Sequence, residues 1–258
     1  MPVPTLVLLH GQPDSSASFW SLRRELTARL PATVRIVAPD RPGYGANPAS
    51  ATDFAGNVRW LRRWLDEIDA GPVVLAGHSW AGGMAALAAA EPDEDRVRGL
   101  VLMASVGPGC LITSDPILAF PVLGEVLAYA TLGLAQPLVK RKVASVILRG
   151  QDEADRPYAR ASGLAMGKRP VWRSFLTEQR ALMRELATIN SCLGRIKVPT
   201  QVFSGTADSM IPERTPIALV DAIPDAVAVR IEGAHDLQLR RPIAVAEAMA
   251  PFVTELLE

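Results

Sequence analysis

PVVLAGHSWAGGMAALAAA, residues 72–90, decides how the rest of the chain is read. The apolar run Val73, Val74, Leu75 and Ala76 stops at Gly77, and small helix formers begin directly after Trp80. The segment therefore predicts a buried strand that turns at once into a helix, with Ser79 on the corner. Such a nucleophile-elbow corner is strained and tolerates little bulk two residues to either side, here Gly77 and Ala81. The serine hydroxyl is then expected above the end of a sheet. The first helical N–H groups, starting at Trp80, are expected on the same side, where they can face a negatively charged oxygen. The motif more often carries glycine at both flanks; alanine at 81 adds one methyl, which helical backbone accepts, and predicts a slightly wider corner.

Working outward, residues 6–10 read as an apolar strand broken by Gly11, and QPDSSASFW as a polar turn into an amphipathic helix over 19–30. Residues 34–38 give the next strand, closed by PDRPGYG. Helical periodicity returns in VRWLRRWLDEI, where Val58, Leu61, Leu65 and Ile68 recur at three and four. Beyond the quoted segment, 97–103 is another apolar strand. Continuous apolar strands alternating with helices predict an α/β fold, a mostly parallel sheet covered on both faces. Its active crevice is expected beyond the carboxyl ends of the strands, where His10, Asp40, Ser79 and Ser105 fall.

The alternation stops near Val106 and resumes at Pro199. Between them the runs at 121–134, 138–148 and 171–189 are helical. Because this insertion follows a strand end near residue 105, it predicts a helical cap over the crevice. The expected organisation is a core of 1–106 and 193–258 with a cap of 107–192. The sheet pattern returns with PTQVFSGTAD at 199–208, a helix over 212–222, a strand over 226–231, EGAHD, and an amphipathic helix over 241–257.

A length of 258 residues suits one such domain with an insertion, or at most two domains. The 27 basic side chains balance 27 acidic ones and form no basic block, which argues against a nucleic-acid partner and for a neutral or apolar small molecule. The opening MPVPTLVLLHG has neither a basic leader nor a cleavage site, and no uncharged run of 18 residues stands out, so a cytoplasmic protein without membrane partners is expected. Cys110 and Cys192 are too few for a disulfide scaffold and read as free thiols, a single bridge being the alternative. No metal motif is evident among three well-separated histidines, and no G-x-G-x-x-G follows the first strand, so no cofactor is implied.

Ser79 needs a base to become a nucleophile at neutral pH. His10 precedes Gly11 at a strand end, and His78 adjoins Ser79 but points to the other side of the strand. His235 follows the last strand in a loop containing Gly233 and is the candidate base. Asp208, at the sharp turn GTADS after the preceding strand, is the candidate acid to hold the imidazole. Asp236 adjoins His235 and is badly placed to face its ring, and Asp40 has Arg41 as a ready salt partner.

The order Ser, Asp, His, each at a strand end, resembles that of the α/β-hydrolase superfamily. The resemblance runs through HGQP at 10–13, GHSWAG at 77–82, GTADSMIP at 205–212 and GAHD at 233–236, and it covers the core; the cap matches in position and helical character alone. It implies an oxyanion hole formed by the N–H groups of Gln12 and Trp80, and a Gln12–Pro13 bond of a kind that is often cis. HGQPDSSASFW is also similar to the loop of haloalkane dehalogenases and epoxide hydrolases, which use aspartate where this chain has Ser79. A serine ether formed at an alkyl carbon would offer water no carbonyl to attack, so carbonyl chemistry is expected: an esterase-like serine hydrolase with an acyl-enzyme intermediate.

The same triad serves thioesters, lactones, amides, carbon–carbon bond hydrolysis and cofactor-free perhydrolysis, and the scaffold can also serve as a non-catalytic small-molecule receptor. An aminopeptidase would want a carboxylate cluster in the cap; Glu125, Asp152, Glu153 and Asp155 read instead as a solvated helix face. Tyr129, Tyr158, Trp172 and Phe175 are candidates for the pocket wall or for plain cap core.

Overall fold

Six strands form one sheet in a computed structural model of the chain, which describes residues 2–91, 95–134 and 171–258. The strands are β1 (Val3–Leu9), β2 (Arg35–Val37), β3 (Ala70–His78), β4 (Val97–Met103), β5 (Thr200–Gly205) and β6 (Ala226–Ile231). Their order is β2-β1-β3-β4-β5-β6, and every neighbouring pair is parallel. The chain leaves β1 toward one edge and then works from β3 toward the other, so the crevice opens between the carboxyl ends of β1 and β3. Pairing of Leu9 with Gly77 and of Gly77 with Leu102 brings those strand ends level.

The continuous apolar strands are divided by the period of two. Val7, Leu9, Val73, Leu75, Leu100 and Leu102 face one core layer, while Leu6, Leu8, Val74, Ala76, Val101 and Met103 face the other. Each buried Val, Leu or Met among them contributes roughly 1.5–3 kcal/mol of transfer free energy, and a one-residue slip in register would exchange these side chains between layers. The first layer is closed by α2 (Phe54–Glu67), α3 (Trp80–Ala89) and α7 (Arg214–Ala222), the second by α1 (Trp20–Thr27) and α9 (Pro242–Leu257). α2 presents Phe54, Val58, Leu61 and Leu65 to the sheet, and its first turn is capped by Asp53, which accepts from the Gly56 N–H at 2.8 Å. α1 ends three residues short of the expected 30, ahead of Pro31, which disfavours helical backbone at the residue before it.

α3 has no polar face: all its residues but Leu87 and Ala89 are buried. Its small side chains let it lie deep between the sheet and its neighbours. A Cβ on Gly82 would run into Ser105, and one on Gly83 would meet Val106 at 2.8 Å and Phe54 at 3.0 Å.

The described parts of the middle of the chain are helical, as expected: α4 (Ser114–Ala119), α5 (Leu123–Ala128), a π-helical turn at Tyr129–Leu134, and α6 (Val171–Cys192). The helix expected over 138–148, together with Asp152, Glu153, Asp155 and Tyr158, lies outside the described residues. α6 runs over the carboxyl ends of β1 and β2, where Gln179 accepts from Gln12 and Ser174 donates to Gly43. The fold is thus a parallel sheet flanked by helices and capped by them at its carboxyl end. α8 (Leu237–Arg240) follows the loop after β6. Cys110 and Cys192 are both free and buried. Among the described residues, no helix is long and apolar enough to cross a membrane.

Candidate active site

Ser79 occupies the corner between β3 and α3 with φ 54° and ψ −122°, a conformation that costs a non-glycine residue on the order of 1–3 kcal/mol. Local hydrogen bonds hold it there. The Ser79 N–H donates to Met103 at 2.9 Å, and its carbonyl accepts from Gly82 at 3.0 Å and Val106 at 3.2 Å. The crowding around the corner differs in detail from the expected pattern. A Cβ on Gly77 would lie 2.5 Å from the Ala81 carbonyl oxygen, and one on Gly82 would strike Ser105, whereas the Ala81 methyl packs into the core. Glycine is therefore demanded at 77 and 82, and position 81 has room for alanine.

The loops after β5 and β6 are fastened to each other. Thr206 donates to Ile231 at 3.0 Å and Ala207 to Gly233 at 2.8 Å, and the chains approach so closely that a Cβ on Gly205 would lie 2.6 Å from the Gly233 and Ala234 carbonyls. This contact carries Asp208 to the ring of His235. Asp208 Oδ2 lies 2.9 Å from His235 Nδ1, and His235 Nε2 lies 3.0 Å from Ser79 Oγ. With the carboxylate ionised, Nδ1–H donates to Asp208 and Nε2 is left to accept the serine proton. The other carboxylate oxygen accepts from the N–H groups of Met210 at 2.8 Å and Ile211 at 3.0 Å. Burial pushes the Asp208 carboxyl up, but the hydrogen bond and charge of His235 and these two N–H groups outweigh it, and the group is held below its ordinary value.

The other two histidines have their lone pairs engaged. His10 Nε2 accepts from the Arg41 N–H at 3.0 Å while Nδ1 donates to Gly11. Burial and then the nearby Arg41 charge lower its pKa well below 6.5. His78 donates from Nε2 to the His235 carbonyl at 3.1 Å, and its Nδ1 faces the Gln238 amide at 3.4 Å. Burial, with the neighbouring His235, lowers its pKa to about 3. Both rings are neutral supports, and His78 fixes the backbone of the residue whose ring meets Ser79.

Gln12 follows β1 beside this corner, joined to Pro13 by a cis peptide bond. A Cβ on the preceding Gly11 would lie 3.0 Å from the Ser79 Cβ, so the Gly11 backbone lies directly against the serine. Trp80, the first residue of α3, has no helical acceptor for its N–H. Neither it nor the Gln12 N–H donates to a backbone acceptor among the described residues.

Beneath lies a group that the sequence reading did not assemble. Arg41, for which Asp40 is the expected salt partner, pairs instead with Glu178 of α6, both side chains being wholly buried. Asp40 accepts from the N–H groups of Ser16 and Ala46. Tyr44 donates to Glu178 at 2.8 Å, and Trp80 Nε1 donates to the Glu178 carbonyl at 3.1 Å. The available signal was position: Glu178 lies three and four residues before Ala181 and Leu182, on the buried face of its helix. Glu125, read as part of a solvated face, pairs with Arg180 at 2.6 Å.

A cavity of about 340 Å³ opens beside Asp208, walled by Ser105, Phe203, Thr206, Ile211 and Ile217; Ser79 is not among its walls. Among the described residues, no group of three or more His, Cys, Asp or Glu side chains is arranged to hold a metal ion. Tyr129 is half exposed and meets Trp172 edge-on at 5.7 Å.

The sheet order, the strained corner and the three strand-end side chains define a protein of the α/β-hydrolase type. Residues 6–248 match the model of the alpha/beta hydrolase family, and the chain belongs to that family, whose hydrolytic members act on small organic substrates. It is 28% identical over 231 residues to a 2-hydroxy-6-oxononadienedioate/2-hydroxy-6-oxononatrienedioate hydrolase of Cupriavidus pinatubonensis, covering 86% of this chain and 76% of that one. Among solved structures it is similar to a bromoperoxidase from Bacillus anthracis, with TM-score 0.75, 22% identity, and coverage of 98% of this chain and 92% of the other. An esterase from Exiguobacterium antarcticum also superimposes with TM-score 0.75, at 18% identity and the same coverage.

Proposed function

We propose that the protein is a serine hydrolase that cleaves a carboxylic ester of a small, mostly apolar substrate through an acyl-enzyme intermediate. The observation that carries this reading is the unbroken run from Asp208 Oδ2 to His235 Nδ1 at 2.9 Å and from His235 Nε2 to Ser79 Oγ at 3.0 Å, ending on a serine held at φ 54°. His235 takes the serine proton as Oγ attacks the ester carbonyl, and the N–H groups of Gln12 and Trp80 bind the oxyanion of the tetrahedral intermediate. The alkoxide leaves with the proton from His235. Water, activated by the same ring, then attacks the acyl-enzyme and releases the acid. Asp208 remains ionised and holds the imidazole. The substrate is bound beneath a cap of residues 107–192, with 1–106 and 193–258 forming the core.

The second reading, carbon–carbon bond hydrolysis, is favoured by the name of the Cupriavidus relative, whose substrate is a dianion. Such a substrate calls for cations directed into the pocket. The arginines of α6 are otherwise engaged: Arg173 lies over Trp172, Arg180 pairs with Glu125 and Arg184 lies near Glu185. Among the described residues of the cap, that engagement is in keeping with a neutral ester.

The test is a panel of short and medium p-nitrophenyl esters, a thioester, a lactone, an amino-acid anilide and a vinylogous diketone, run beside Ser79→Ala. Hydrolysis of neutral esters that disappears in Ser79→Ala is the expected result. Turnover of the diketone alone moves the assignment to the carbon–carbon bond. Tight small-molecule binding with no turnover of any member would make the protein a receptor.

A further inference from the structure

We infer that the buried pair of Arg41 and Glu178 is a positioning device that aims the two oxyanion donors and makes them depend on the docking of α6; the inference rests on the acyl-transfer reading above. A peptide unit is planar and its carbonyl and N–H point in opposite directions, so fixing the Gly11 carbonyl fixes the direction of the Gln12 N–H. Gly11 O receives two donors, Arg41 Nη2 and His10 Nδ1, each at 2.9 Å. One residue earlier, His10 O accepts from Arg41 Nε at 2.7 Å. A single guanidinium thus grips consecutive carbonyls of the loop that carries the first oxyanion donor.

That guanidinium is itself held from every side. Nη1 donates to Glu178 Oε1, and Nη2 lies 3.2 Å from Oε2. Its central carbon lies over the Trp80 ring, 4.7 Å from the centroid, and over the Tyr44 ring at 5.1 Å. Trp80 carries the second oxyanion donor on its backbone, stacks on Phe54 at 3.8 Å and donates from its ring to the Glu178 carbonyl at 3.1 Å. Both donor residues are therefore tied to one turn of α6. A buried ion pair is a poor stabiliser compared with well-packed apolar side chains, so its placement under this loop calls for another account. Only a planar fork can reach Glu178 and two neighbouring carbonyls together, whereas a lysine supplies the charge without that geometry.

The decisive variant is Arg41→Lys, compared with Glu178→Gln. Active sites are counted by a fluorophosphonate that labels Ser79, so that misfolded molecules drop out of the comparison. Three quantities are then measured: kcat per labelled site and KM for a short p-nitrophenyl ester, and the affinity for a trifluoromethyl ketone, which forms a tetrahedral adduct. Arg41→Lys is expected to lower kcat by roughly 10- to 100-fold, toward the effect of losing one oxyanion donor. KM should change by less than about threefold, ketone affinity should fall in step with kcat, and Glu178→Gln, which keeps an acceptor for Arg41, should lose less.

A role confined to stability would lower the labelled fraction and leave kcat per site intact; kcat per site within about twofold of wild type in Arg41→Lys overturns the inference. Should Arg41→Lys yield no labelled protein, Glu178→Gln and Tyr44→Phe decide on the same readouts, with unchanged kcat per site and ketone affinity in both counting against it. Ester turnover that persists in Ser79→Ala sinks the acyl-transfer reading instead, which keeps the two failures apart.

Discussion

Replacing Asp208 by asparagine changes one atom, and the structure determines how that amide must turn. Oδ1 of Asp208 accepts from the Met210 and Ile211 N–H groups, while Oδ2 faces His235 Nδ1. An asparagine that keeps its carbonyl on the two N–H groups presents its NH2 to the imidazole and forces the proton onto Nε2, where it confronts Ser79. The opposite orientation restores the working tautomer but forfeits two hydrogen bonds of roughly 1 kcal/mol each, about 2 kcal/mol together. A difference of that size leaves about one molecule in thirty correctly arranged, so orientation alone costs about 30-fold in kcat. Loss of the charge that stabilises the imidazolium carries the total toward the 10⁴-fold of comparable triads, or about 5 kcal/mol of barrier. The assay is kcat for a p-nitrophenyl ester at neutral pH per fluorophosphonate-labelled site, with thermal unfolding run in parallel to show that the fold survives. A loss of less than about tenfold would refute the claim that Asp208 sets the tautomer of His235.

Gly82→Ala places a methyl against Ser105 and should destabilise the protein by about 1–3 kcal/mol in denaturant titration, with Ser105→Gly recovering part of the loss. Phe54→Ala removes the ring stacked on Trp80 and should cost about 3–5 kcal/mol in the same measurement; a cost below 1 kcal/mol would mean that the stack carries little. His78 has a pKa of about 3 in the folded protein against 6.5 for the free side chain, so between those values the unfolded chain binds a proton that the native state does not. Native stability is therefore lost as pH falls through that window, by about 1.4 kcal/mol per unit for this residue, and His78→Gln should reduce the slope of unfolding free energy between pH 6 and 4 by about that amount.

Much of the fold was legible in the chain because its signals are local. Val73, Val74, Leu75 and Ala76 followed by Gly77 and Ser79 specify a strand and a corner through neighbouring residues, and the alternation of such strands with helices specifies a parallel sheet. Ser79, Asp208 and His235 could be singled out for the same reason, each being marked by the strand that ends just before it. What the sequence left undecided depends on atoms distant along the chain. The direction of the Asp208 carboxylate is fixed by the contact of the β5 and β6 loops, and the neutrality of His10 and His78 by burial and by partners 31 and 160 residues away.

The pairing of Arg41 with Glu178 spans 137 residues, and nothing in the neighbourhood of either side chain announces the other. Adjacency made Asp40 look like the partner of Arg41, yet Asp40 is taken up by the N–H groups of Ser16 and Ala46, so tertiary packing and not proximity in sequence chose the carboxylate. The sequence thus determined where the candidate reacting groups stand along the chain. Only the folded structure decided which way they face, because direction is set by close packing against elements the chain brings back from far away.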